Sequence, residues 1–284
     1  MTTTLRPTGP EERQADGGRS RTYAICDNSR PVGTLRLTAR PAPAGAGSID
    51  ALTVHEPDRR RGRATVAALA AEEVLRGWGC RRADVAVPAG AGGALRLAGA
   101  LGYTESNRHL VKELGGEASG PPPLPGGSTV RPMSDTDFTA WLGPVRAEYA
   151  RTWVRHGLPA AEAAAKAERD HATLLPGGAA TPGTALQVLS HAGTDVGTLW
   201  LALPGARPAA GDAGGGYVYD VRVAREHRGR GHGRTLLLLA ERECLAAGAR
   251  SLALNVFADN APARGLYDAL GYRPARIFLT KPLW

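Results

Sequence analysis

The chain has 284 residues, a formal net charge of +8 and 43% hydrophobic residues, which is room for two domains with a core each. It holds no apolar run of about 18 residues, so a helical membrane span is excluded, and the polar stretch Met1 to Arg13 lacks the apolar centre of a signal peptide. Cys26, Cys80 and Cys244 lie far apart, with neither metal-ligand nor redox spacing, which fits buried thiols in a reducing cytosol and no metal.

Taken in chain order, Leu5-Arg6-Pro7 opens a β-rich stretch that runs through polar residues to Tyr23 and Val32-Gly-Thr-Leu35. A second β-rich segment, Ile49 to Val54, leads into the turn Arg59-Arg-Arg-Gly62-Arg63-Ala64 and a helical apolar run from Thr65 to Ala71. Residues 88–94 are small, and Leu97, Leu101, Gly102 and Tyr103 follow. Residues 115–128 are almost devoid of apolar side chains and carry three consecutive prolines, the composition of a semi-rigid linker. Beyond it the chain starts again with Val130-Arg131-Pro132. A segment over roughly 135–175 follows, with helical spacing of Phe138, Trp141, Leu142, Val145, Tyr149, Trp153 and Val154; Ser134 or Asp135 caps its start, and Pro144 and Pro159 mark breaks or first turns. Val196-Gly-Thr-Leu199, a strand Val218 to Val223, the loop Arg228-Gly229-Arg230-Gly231-His232-Gly233-Arg234 and a helical run complete the pattern.

The two halves are copies. Laying Arg59 on Arg228 sets an offset of 169 (228 − 59), which holds without a gap to Tyr103 on Tyr272 with 16 identities in 45 positions. Upstream the offset is 125 (130 − 5) and then 164 (196 − 32), so the second copy holds 39 extra residues (164 − 125), the helical segment. Split at residue 117 the charge is +4 (17 − 13) on one side and +4 (18 − 14) on the other, which argues against a basic nucleic-acid arm and leaves a general attraction for anions. In both copies a glycine-bearing turn stands between strand and helix. Such a turn brings backbone close to a ligand, and the first amides of the helix have no internal partners, so the pattern suits a phosphate. A helix-start turn is the bland alternative.

The loop at 228–233, with Asn255-Val-Phe-Ala-Asp-Asn260 and Leu266-Tyr267-Asp-Ala-Leu-Gly271-Tyr272 downstream, resembles the GNAT family of acyl-CoA-dependent N-acyltransferases. The resemblance implies a mixed α/β (α+β) fold of two tandem GNAT-like domains, each a splayed mixed sheet flanked by helices. Residues 1–114 form a degenerate domain without the first helical pair, 115–128 the linker and 129–284 a complete acetyltransferase domain. It implies acetyl-CoA as acyl donor, its pyrophosphate on Arg228, Gly229, Arg230, Gly231, His232, Gly233 and Arg234, its pantetheine along Val221, Arg222 and Val223, and Asn260 near that arm. Tyr267 would protonate the leaving thiolate, and Asp220, on the strand before the loop, would serve as base or sit as a solvated carboxylate paired with Arg222.

Opposite Asn260 stands Ala91, and opposite Tyr267 stands Ala98, so the first copy reads as a scaffold. Its turn keeps Arg59, Gly62, Arg63 and Ala64 and leaves a second CoA loop open. The expected activity is transfer of an acetyl group to a primary amine of a small molecule, such as an amino sugar, antibiotic or amino-acid derivative, in the cytoplasm, by a monomer (an internal pseudo-dimer) or a homodimer. Glu148, Glu162, Glu168 and Asp170 would greet a cationic amine or form the wet face of a helix. The tandem layout also resembles mycothiol synthases, which acetylate a cysteinyl amino-sugar conjugate. A non-catalytic acyl-CoA sensor is the alternative from another class.

Overall fold

The computed structural model describes residues 3–15, 17–40, 45–115, 124–206 and 214–283; of the linker expected at 115–128, residues 116–123 lie outside the described residues. The first copy supplies β1 (Thr3–Pro7), β2 (Glu12–Arg13), β3 (Arg19–Asp27), β4 (Arg30–Arg40), β5 (Ala46–Val54), α1 (Arg63–Gly77), β6 (Arg82–Pro88), α2 (Gly92–Ala100) and β7 (Thr104–Glu113). The second supplies β8 (Ser128–Pro132), α3 (Asp135–Arg155), α4 (Ala160–Leu174), β9 (Thr184–His191), β10 (Thr194–Ala202), β11 (Gly216–Val223), α5 (His232–Ala246), β12 (Ser251–Phe257), α6 (Ala261–Ala269) and β13 (Arg273–Pro282). The mixed α/β fold follows the expectation.

The chain forms two compact units, residues 1–108 with 275–284, and residues 109–274. The first unit orders its strands β1-β3-β4-β5-β6-β13, with β2 on β3; the second orders them β12-β11-β10-β9-β8, the end of β7 lying beside β12. Each unit therefore completes its sheet with the last strand of the other copy. In the first, β13 pairs antiparallel with β6 from Arg276 on Pro88 to Pro282 on Arg82. In the second, the amide of Leu114, the residue after β7, donates to the carbonyl of Arg250, the residue before β12, at 2.7 Å.

The same anchor holds both exchanged strands. Lys281 of β13 reaches Glu72 of α1 at 2.7 Å in the first unit, and Lys112 of β7 reaches Glu241 of α5 at 2.7 Å in the second. Both carboxylates are buried, and each lysine also lies over a tyrosine ring, Tyr103 or Tyr272, at 5.6 and 5.7 Å. A buried carboxylate without a cation is costly, so the ion pair fixes which strand closes each sheet. The chain has only three lysines, and two of them do this.

Apolar alternation fills each core. In the first unit Ile25, Leu35, Leu37, Ala71 and Leu75 are wholly buried with Leu279 and Leu283 from the chain end. In the second, Leu189, Leu199, Leu201, Leu236, Leu237 and Leu252 pack with Leu110 and Leu114. The helical segment forms as read: Ser134 and Asp137 make a reciprocal capping box at the start of α3, and Pro159 is the N-cap of α4. Pro144 does not break α3 but lies inside it. A satellite core of Met133, Trp141, Val145, Leu186, Val188 and Trp200 seats α3 and α4 on the sheet. Among the described residues the first copy has no helix between β1 and β3, and no helix is long and apolar enough to cross a membrane.

Candidate active site

The gap in the sheet comes from strand register. β11 and β12 pair in parallel only from Gly216 on Leu252 to Val218 on Leu254. Beyond Val218, β11 continues to Val223 on its β10 side alone, Asp220 opposite Trp200 and Val223 opposite Gly197, with a bulge at Trp200/Leu201. A bulge adds twist and turns the strand away. The edge of β11 at Val221, Arg222 and Val223 thus opens toward the space vacated by β12, where an extended pantetheine could take strand-like hydrogen bonds. The first unit repeats this construction: β5 and β6 pair only over Ala46–Ile49, with a bulge at Arg36/Leu37.

At the end of each opened strand stands a turn of the same build. A short 3-10 turn, Arg225–His227 in one and Glu56–Asp58 in the other, leads to a left-handed glycine as N-cap of the helix, Gly231 (φ 86°) before α5 and Gly62 (φ 73°) before α1. Arg228 Nε donates to the Val223 carbonyl at 3.1 Å, and Arg59 Nε to the Val54 carbonyl at 2.9 Å. These arginines brace the turn. Two details separate the turns. Gly229 (φ 76°) is matched by Arg60 (φ 61°), a side chain held where glycine is favoured. A Cβ on Gly233 would meet Leu266 Cδ2 of α6 at 3.2 Å, so the helix start sits tight against α6. Arg230 and Arg234 border the α5 N-terminus, where free amides and the helix dipole favour an anion.

In the first turn one cation, Arg63, is spent internally, while Arg60 and Arg61 are exposed. Arg63, 4% exposed, bonds Asp27 through Nε at 3.2 Å and through Nη2, and reaches Asp58 through Nη1 at 3.4 Å. Arg30 adds a bidentate pair on Asp58 at 2.6 and 3.1 Å, which holds that carboxyl below the usual range. Gly62 and Ala64 keep the shape of the turn; the Arg63 guanidinium does not face solvent.

In the second unit Tyr267 lies on α6 and Asp220 on β11, within electrostatic reach of each other. Burial, with the Asp220 charge and then Tyr217, pushes the Tyr267 phenol up to about 12. Burial also raises the Asp220 carboxyl, against Arg222, whose Nη2 stands 3.5 Å away. Asp220 Oδ2 is buried and has no hydrogen-bond partner among the described residues. Asn260 caps α6, its side-chain oxygen accepting from the Ala263 amide at 3.2 Å. The equivalent Ala91 gives α2 no side-chain cap.

The carboxylates on the helical pair are occupied. Glu148 pairs with Arg151 at 2.7 Å, Glu168 with Arg146 at 2.8 Å, and Asp170 with Lys166 at 2.8 Å and with the Tyr149 hydroxyl at 2.8 Å. Asp220 Oδ2, by contrast, has no such partner among the described residues. Around it runs a chain of rings: Trp200 lies 4.7 Å from Tyr219, Tyr219 4.8 Å from Tyr217, His171 5.3 Å from Trp200 and 5.7 Å from Tyr149.

His171 escaped the sequence reading. Its Nδ1 sits 2.7 Å from the Ala167 carbonyl, which can only accept, so Nδ1 carries the proton and Nε2 keeps its lone pair. Nε2 is buried without a partner, and burial lowers the imidazole below its ordinary value of 6.5. The group is a neutral base at neutral pH. The available signal was a histidine four residues along the buried stripe Ala163, Ala167, His171.

The Acetyltransferase (GNAT) family profile matches the chain twice, over residues 2–103 and 149–272. YycN of Bacillus subtilis, described as an uncharacterized N-acetyltransferase, is 30% identical over 154 residues, covering 54% of this chain and 96% of YycN. A mycothiol acetyltransferase of Pseudarthrobacter chlorophenolicus is 31% identical over 153 residues, 52% of this chain and 43% of that protein. Among solved structures, a tandem GNAT protein from the clavulanic acid biosynthesis pathway aligns with a TM-score of 0.54 at 22% identity, covering 96% of this chain and 85% of that one; this is a likeness of fold. With two matched domains, a twice-built splayed sheet and a left-handed glycine turn at the head of each central helix, the chain belongs to the GNAT acetyltransferase family in its tandem form.

Proposed function

We propose that the second unit transfers the acetyl group of acetyl-CoA to a primary amine of a small molecule by direct attack, and that the first unit is a scaffold. The observation that carries this reading is a buried phenol, Tyr267, within electrostatic reach of the unpartnered carboxylate oxygen of Asp220 at the opened strand. The first unit has the opened strand but buries Ala98 where Tyr267 stands. The turn at 228–234 would hold the pyrophosphate, β11 at 221–223 the pantetheine, and Asn260 would border it. Gly62, Ala64 and Arg59 shape a turn whose one inward cation, Arg63, is already taken, which supports a first unit without CoA.

The attacking amine must be neutral, whereas a free alkyl amine is mostly protonated at neutral pH. Asp220, raised by burial, is the better placed for being a stronger base than an ordinary carboxylate. The C–N bond forms as the C–S bond breaks, Asp220 takes the amine proton, and the thiolate departs toward Tyr267. An alkyl thiol titrates at about 8.5, below the phenol at about 12, so Tyr267 acts chiefly by a hydrogen bond that strengthens as charge builds on sulfur. His171 Nε2 offers a second reading for the base, since it is neutral, lone-paired and unpartnered in the same unit.

The test is thiol release from acetyl-CoA with amino sugars, amino acids, aminoglycosides and a cysteinyl amino-sugar conjugate as acceptors. The reading expects turnover with one class, and Tyr267→Phe to cut kcat by roughly 100-fold or more at unchanged CoA affinity. A variant as fast as the parent overturns the role of Tyr267. Acetyl-CoA binding with no turnover on any amine would leave a sensor.

A further inference from the structure

Three positions of the closed network in the first unit recur in the second with different residues. Asp27 ends β3, Asp58 ends its 3-10 turn and Arg63 opens α1; in the same places stand His191 at the end of β9, His227 at the end of its 3-10 turn and His232 at the start of α5. Arg30, which clamps Asp58, corresponds to Thr194. An internal ion network has been exchanged for three imidazoles. Their rings remain together, His232 lying 5.0 Å from His191 and 6.3 Å from His227 between centroids.

Imidazoles do not close the space as the carboxylates and guanidinium do. A cavity of about 470 Å³ remains, lined by the three histidines, Arg230, Arg234, Ser128 and Thr194 among others. Its polar and charged lining consists of cations, imidazoles and hydroxyls, with no carboxylate. His232 is 6% exposed, its ring makes no hydrogen bond to another described residue, and it lines this cavity. Its ring faces His191 at the end of β9 and His227 and Arg230 of the loop; Arg234, two residues along α5, also lines the cavity. The neighbouring Gly233 faces Leu266 of α6 and Val223, away from the cavity, whereas Arg230, Gly231, His232 and Arg234 of the turn proposed for the pyrophosphate also line the cavity.

We infer that this cavity is a second anion site, which takes a phosphate, sulfate or phosphomonoester dianion together with a proton on His232. The first unit shows where the negative charge belongs, because there two carboxylates of the chain occupy it. In the second unit the charge must come from a ligand. Without one, His232 is held below its ordinary value by burial and by its neighbours His191, His227 and Arg230. With one, a protonated His232 ring gains a partner, so anion and proton bind together.

Sulfate tests this, since its charge does not change between pH 6 and pH 8. In calorimetry on the full chain, saturable sulfate binding is expected at pH 6 and at least tenfold weaker binding at pH 8. The quadruple variant His191→Asp, Thr194→Arg, His227→Asp, His232→Arg restores the internal network and should fold and lose the site; His191→Gln, at the rim, should weaken it about tenfold. Titrations with CoA and 3′-dephospho-CoA separate the sources: sulfate competing only with CoA means that the phosphate of the donor fills the cavity, and no competition means a free anion. Absence of sulfate binding at pH 6, or undiminished binding in both variants, overturns the inference.

Discussion

The two units are the same construction carried to different ends. Each opens its central strand with a bulge, turns at a left-handed glycine into a helix and closes its sheet with the other copy's last strand, anchored by a lysine on a buried glutamate. What differs is chemistry. The first turn is sealed by Asp27, Asp58 and Arg63, and small residues stand where Asn260 and Tyr267 stand in the second. The second has the helical pair α3 and α4, the ring cluster and an unsealed turn. Shape persists where packing needs it, and the first copy lacks the side chains proposed to act in the second.

The sharpest way to break this comparison is to remove the proposed base. Asp220→Asn should lower kcat/KM by about 10³-fold. Only the deprotonated carboxylate accepts a proton, so activity should rise with pH through a value above the ordinary carboxylate range, burial being the cause, and that limb should vanish in the variant. If His171→Gln removes the acid limb instead, the base is the imidazole, lowered from 6.5 by burial.

Next comes the strand exchange. Lys112→Met leaves Glu241 buried and unpaired, and Lys281→Met does the same to Glu72. Each should cost on the order of 3 kcal/mol in denaturant unfolding. Equal losses from the two variants would show that both copies depend on the exchanged strand, and a loss near zero from either would break the symmetry.

A smaller difference concerns acid. Asp58 is depressed by Arg30, so its contribution is present above its unfolded value and is lost as pH falls through the folded one, in the strongly acid range. His232 is also depressed, but for a base this means that the unfolded state binds the extra proton first. Stability from keeping it neutral is present above about 6.5 and declines as pH falls from there to the folded value. Hydrogen exchange at pH 5.5 should therefore loosen the start of α5 before the start of α1, and sulfate should reverse it. Equal protection of both helices would contradict the assignment. The smallest effect is at Arg60, held at φ 61°: Arg60→Gly should stabilise by about 1 kcal/mol, seen as a small rise in Tm.

Much of this was legible in the sequence because repetition supplied an internal control. The offset of 169 located the turn, and the mismatches at Ala91 and Ala98 pointed to Asn260 and Tyr267. The 39-residue surplus became α3 and α4, capped at Ser134 as its pattern required. The exchange of β7 and β13 was not legible, since strand partners at a sheet edge are chosen by tertiary contacts such as Lys281 on Glu72, 209 residues apart. His171 and the triad of His191, His227 and His232 were hidden for the same reason. A lone histidine in a helix or turn carries no signal until the fold shows what it faces.

Calorimetric titration of acetyl-CoA into the intact chain, Gly233→Val and Ala64→Val tests the division of labour most directly. In the second unit a Val side chain at 233 would press on Leu266 at the helix start, and position 64 is its counterpart in the first. The account predicts one site in the parent, lost in Gly233→Val and unchanged in Ala64→Val. Two sites in the parent, or one that survives Gly233→Val and disappears in Ala64→Val, would contradict it.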